Sequence, residues 1–208
     1  MAIGKNETPR TFVKLKTKGD KPSFDVMKKN GEGKWEVAIS ETYIDGFFKS
    51  LRFIDHEYEG KKSKKIQLVL HDQGMDYIIE SFFSSVSRGI LNTLAAAKEI
   101  GFLKLQLAVK DGYPRCYVEV NGNNRPEWAL EWADQKVLIE VIKKKDGSVE
   151  KDYFDLNKKL MEICEEVKPL ESNMLDSISS PEEEEKPNIY KEPVAESALE
   201  EEDDDLPF

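Results

Sequence analysis

Residues 64–121 read KKIQLVLHDQGMDYIIESFFSSVSRGILNTLAAAKEIGFLKLQLAVKDGYPRCYVEVN, and the changes of period inside this stretch decide the fold. From Lys64 to His71, Ile66, Leu68 and Leu70 alternate with Lys65, Gln67 and Val69. That two-residue repeat is a strand with one apolar face. The period then lengthens to about 3.6, with Ile78, Ile79, Phe82, Phe83, Val86, Ile90, Leu91 and Leu94 on one stripe. This predicts one long helix from about Asp76 to Ile100, capped by Asp72 or Asp76 and ended near Gly101. Alternation resumes at Leu103, Leu105, Leu107 and Val109, and Asp111-Gly112 turns the chain into Pro114–Asn121 as a hairpin.

Upstream, Val13 and Leu15 alternate with Phe12, Lys14, Lys16 and Lys18, a strand whose outer face is basic. Turn residues at 18–23 and 30–33 bracket two further short strands, Phe24–Lys28 and Lys34–Ile39, as in an antiparallel meander. A long β-prone run follows, Tyr43–Glu59, broken at Gly46, where a bend or bulge is expected. Downstream, residues 122–135 read as a loop with a short helix on which Trp128 and Trp132, four apart, pack. Lys136–Lys144 reads as a strand, and Tyr153–Val167 as an amphipathic helix.

Strands, a helix, then a closing hairpin is an order that resembles the OB fold. The expected fold class is therefore mainly β: an OB-fold-like five-stranded antiparallel barrel with a helix between the third and fourth strands, extra strands and a C-terminal helix. The expected divisions are an OB domain over residues 1–168, a disordered linker over 169–199 and an acidic interaction tip over 200–208.

Charge separates the body from the tail. Of 31 basic and 41 acidic residues, residues 169–208 hold only Lys186 and Lys191 against 14 acids, so the tail carries −12 and the body +2, which sum to the net −10. Few apolar residues remain there to offset the entropy of ordering. The chain ends in Glu202-Asp203-Asp204-Asp205-Leu206-Pro207-Phe208. This resembles the tip of bacterial single-stranded DNA-binding proteins, an acidic run followed by Ile-Pro-Phe, with Leu206 in place of Ile. Phage-encoded members share the plan of a divergent OB core with an acidic tail. The resemblance implies a protein, of phage source, that binds and protects single-stranded DNA in replication, recombination and repair. It implies recruitment of replication and repair proteins through Asp203, Asp204, Asp205, Leu206, Pro207 and Phe208. Phe208 would be the aromatic anchor, and the acids would meet basic rims.

Sequence-neutral binding of a single strand needs rings on which bases stack and cations for the phosphates. Trp35, Phe48 and Tyr117 are the expected stacking rings. Arg52, Lys65, Arg115 and Lys16 are the expected phosphate contacts, with Phe48 and Arg52 sharing a face because four residues separate them.

Other classes find less support. His56 and His71 are the only histidines and lie near no cysteine pair, so no metal site and no cofactor is expected. Asp45, Asp55, Glu57 and Glu59 alternate like a solvated strand face, and no enzyme activity is expected. MAIGKNETPR lacks the apolar run of a signal peptide, no apolar stretch approaches the about 20 residues of a membrane span, and Cys116 and Cys164 form no CxxC pair. A cytoplasmic protein with reduced thiols and no membrane partner is expected, and self-association is left open. The alternative reading is a replication adaptor whose body binds protein instead of DNA.

Overall fold

A computed structural model describes residues 8–17 and 21–171; the linker and tip expected beyond Lys168 lie almost wholly outside them. The described chain is mainly β. Eight strands form one sheet: β1 (Arg10–Lys16), β2 (Ser23–Lys29), β3 (Trp35–Glu41), β4 (Tyr43–Tyr58), β5 (Lys61–Asp72), β6 (Met75–Phe82), β8 (Phe102–Lys110) and β9 (Tyr113–Val120). The two-residue β7 (Glu99–Ile100) precedes β8. The order across the sheet is β3-β2-β1-β6-β5-β4-β8-β9, and only β1 and β6 run parallel. Within it, β4, β5 and β6 form a meander while β8 returns to lie beside β4. That order, fourth-first-second-third, is a Greek key.

Three hairpins turn on X-Gly pairs with both residues at positive φ: Glu59-Gly60, Gln73-Gly74 and Asp111-Gly112. These are the turns whose twist suits two-residue hairpins. The middle one corrects the expected long helix. Met75–Phe82 is strand β6, paired along its length with β5, and helix α1 spans only Ser85–Ala97. Ile78-Ile79 satisfies either period, and the Gln73-Gly74 turn commits the segment to the sheet. Ser84 caps α1 in place of the expected aspartates: its Oγ accepts from the Ser87 N–H, and Ser87 Oγ accepts from the Ser84 N–H. Lys98, at φ 58°, ends the helix ahead of Gly101. Asp76 instead accepts from Lys49 Nζ at 2.7 Å and lies 2.7 Å from His71 Nδ1.

Gly46 is where β4 changes partner, pairing with β8 as far as Phe47 and with β5 from Phe47 onward. Its φ is +155°, and a Cβ there would stand 2.9 Å from the His71 carbonyl oxygen. Only glycine fits the bend. Just beyond it a bulge at Lys49 shifts the register between Phe48 and Ser50.

One face of the sheet is covered. Val13, Leu15, Phe48, Leu68, Leu70, Leu103 and Leu105 pack there against Ile90 and Leu94 of α1. A second cluster joins Ile66, Leu91 and Ala95 to Leu156, Leu160 and Cys164 of α3 (Phe154–Cys164), the helix expected near the C-terminus. Residues 132–143 differ from the expected strand. They form a short helix α2 (Trp132–Val137) and then β10 (Glu140–Lys143), which among the described residues pairs only with β11 (Val149–Asp152). Trp128 lies ahead of α2, and both tryptophans stay about half exposed. Finally, β12 (Lys168–Pro169) runs parallel to β7. Burial raises the Cys116 and Cys164 thiols to about 12, which keeps both protonated at neutral pH. Among the described residues no helix is long and apolar enough to cross a membrane, and no group of three or more His, Cys, Asp and Glu side chains is placed to hold a metal.

Candidate nucleic-acid interface

Strand alternation sends every second side chain to the face opposite α1. On β1 that face carries Phe12, Lys14 and Lys16, between the buried Val13 and Leu15. Cross-strand partners extend it: Lys14 stands opposite Glu80 of β6, Glu80 opposite Gln67 of β5, and Gln67 opposite Arg52 of β4. Two residues along, on the same face, Phe82 is opposite Lys65, and Lys65 is opposite Ile54. A cleft of about 440 Å³ opens here, with Phe12, Trp35, Phe82, Lys14 and Lys65 on its walls.

The rings are held edge to face. Phe12 and Trp35 have centroids 5.3 Å apart at 75°, and His56 lies 5.2 Å from Phe82 at 63°. Two lysines stand over rings: Lys29 Nζ is 5.3 Å from the Trp35 centroid, and Lys65 Nζ is 5.3 Å from that of Phe82. Trp35 is 51% exposed and Phe82 50%, so each keeps ring surface free for a planar ligand. The one acid lining the cleft, Glu80, accepts from Gln67 Nε2 at 3.2 Å and lies 3.8 Å from Lys65 Nζ. With Lys14, Lys16, Lys29 and Arg52 around it, the local balance is positive.

Four residues singled out from the sequence gather at this end: Trp35, Lys65, Arg52 and Lys16. Phe48 does not. It is 4% exposed within the main core, and the Lys49 bulge puts it on the opposite face from Arg52, because one extra residue reverses the parity on which their pairing rested. A base could reach Phe48 only by opening the core. Arg115 and Tyr117 are exposed on the outer face of β9, at the other edge of the sheet. They connect to the centre through the row Tyr43, Gln106 and Tyr117, where Gln106 is the partner of both tyrosines. The tip residues Asp203 to Phe208 lie outside the described residues.

Phe12, Phe82 and Lys29 are the additions. The alternation of Thr11–Lys18 already sets Phe12 among lysines. Phe82 was concealed by the helical stripe, and the turn Gln73-Gly74 was the signal that could have released it. One acidic patch interrupts the face. Asp45, opposite Lys104, has its pKa raised by burial first and then by the charge of Asp72, while Lys104 acts to lower it.

Compared with known protein families, curated proteins and solved structures, the chain matches none of them.

Proposed function

We propose that this chain binds single-stranded DNA without sequence preference, through the outer face of its sheet, and recruits replication and repair proteins through the acidic segment ending in Leu206-Pro207-Phe208. The observation that carries the reading is the cleft at β1, β3 and β6, where three partly exposed rings, Phe12, Trp35 and Phe82, stand among lysines. Rings of this kind accept any base, and the cations take the backbone. An OB-like core is supported by the Greek-key order of β4, β5, β6 and β8, with α1 between the third and fourth of these strands and β9 as the fifth. In this reading the meander β1–β3 is an addition that enlarges the binding face. No catalytic step is assigned, and the setting is the cytoplasm of a bacterial host, with a phage as source.

The test is a protein in which Trp128 and Trp132 are replaced by phenylalanine, leaving Trp35 as the sole tryptophan. Oligo-dT should quench its emission saturably, and addition of salt should reverse the quenching. Saturable binding with unaltered Trp35 emission would remove the cleft from the interface.

A further inference from the structure

A second cavity, of about 340 Å³, opens at the β9 edge of the sheet, between α1, β9, α2 and β11. Its walls carry Trp128, Trp132 and Tyr153 together with Arg88, Arg115 and Lys151, and they include no aspartate or glutamate.

The wall is also built. Asn92, buried on α1, donates to the Leu130 carbonyl at 2.9 Å and accepts from the Leu130 N–H at 2.7 Å, and its own carbonyl accepts from the Ala129 N–H. The segment bearing both tryptophans is thereby fastened to the helix. The Arg88 guanidinium lies 4.0 Å from the Tyr153 ring centroid, with Nη1 3.5 Å from Asn157 Oδ1. Among the described residues, neither it nor Arg115 nor Lys151 forms an ion pair. A half-buried cation without a carboxylate beside it suits an anionic ligand.

Continuity indicates which ligand. An adjoining cleft of about 390 Å³ shares Arg115 and Trp128 with the cavity and adds Tyr117 and Arg125, and Tyr117 ends the row Tyr43-Gln106-Tyr117 on the outer face. We infer that the cavity is a second subsite for the same single strand, which runs from the Phe12-Trp35-Phe82 cleft across the outer face and over the β9 edge. There it sets a base against Trp128 or Trp132, with phosphates at Arg88, Arg115 and Lys151. This inference rests on the single-strand reading above. From β3 to β9 is seven inter-strand steps, about 34 Å along the sheet surface at about 4.8 Å per step. A short oligonucleotide fills one subsite, and only a longer one spans both.

The experiment measures binding of fluorescent oligo-dT of about 4 and about 30 nucleotides, the first at the lower end of the usual footprint of one such domain and too short to reach both subsites, the second well beyond it. The proteins are wild type, Trp128→Ala, and Trp132→Ala combined with Lys151→Gln, each checked for an unchanged thermal melt. Both variants should bind the short strand within twofold of wild type and the long strand about tenfold more weakly, the loss expected for one stacked base. Long-strand affinity equal to wild type in both variants would overturn the subsite and leave the first cleft standing. If wild type binds neither length, the single-strand reading falls and the subsite falls with it.

Discussion

Replacing Phe82 by alanine separates a base platform from a core residue. The ring is half exposed, is met by His56 at 5.2 Å and lies under Lys65. Full burial of a phenylalanine stabilises by about 1.5–3 kcal/mol, so half of that area puts the stability cost of Phe82→Ala near 1 kcal/mol. The loss of one base stack is worth about 1–3 kcal/mol of affinity, or roughly 5- to 150-fold in Kd. Fluorescence anisotropy with labelled oligo-dT at fixed salt reads that change directly, and Phe82→Tyr, which keeps the ring, should stay within about threefold of wild type. Phe48→Ala supplies the opposite pattern. Removing that fully packed ring should cost about 3–5 kcal/mol of stability, yet DNA affinity measured on the folded fraction should hold. Phe82→Ala protein that melts normally and binds oligo-dT as tightly as wild type would refute the assignment of Phe82 to the interface.

Charge, pH and backbone give three further expectations. Changing Lys14, Lys65 and Arg52 together to glutamine should lower the slope of log K against log salt by about 2, from about 0.7 per lost phosphate contact; a slope equal to wild type would exclude them from the phosphate path. Burial acts to raise the Asp76 pKa, but hydrogen bonds from Lys49 and His71 outweigh it and hold the carboxyl below its ordinary 3.8. A depressed carboxylate contributes stability that is present above its unfolded pKa and lost as the pH falls through the folded value. Asp76→Asn should therefore destabilise by about 1.5–3 kcal/mol at neutral pH, and its chemical denaturation midpoint should fall less than that of wild type on acidification below about pH 4. Gly46→Ala should unfold at least about 2 kcal/mol more easily in urea, because a Cβ meets the His71 carbonyl oxygen at 2.9 Å on a backbone at φ +155°.

Much of the sheet could be read from alternation. Val13 and Leu15, Leu68 and Leu70, and Leu103 to Leu107 all face the core as their period of two requires, and Asp111-Gly112 turns as its residues dictate. The start of α1 was not legible, since Ile78, Ile79 and Phe82 suit either period and only the Gln73-Gly74 turn, with both residues at positive φ, decides between them. Nor was the face of Phe48: nothing in Phe48-Lys49-Ser50 marks a bulge, and one inserted residue reverses every parity argument across it. Lys16 and Lys65 lie on strands read in the right register, whereas Phe82 lay on a segment assigned to the wrong element. Neither the parallel pairing of β1 with β6 nor the meeting of Trp35 with Phe12 across β2 follows from local pattern, because both are set by tertiary topology.

On the reading proposed above, the outer face of this sheet holds single-stranded DNA. The most direct test of that reading is equilibrium binding of the full chain to fluorescent oligo-dT and to a duplex of matching length, each titrated with salt. Binding to the single strand should be salt-sensitive and at least about tenfold tighter than to the duplex. Equal affinity for both, or no binding to either at low salt, would contradict that reading.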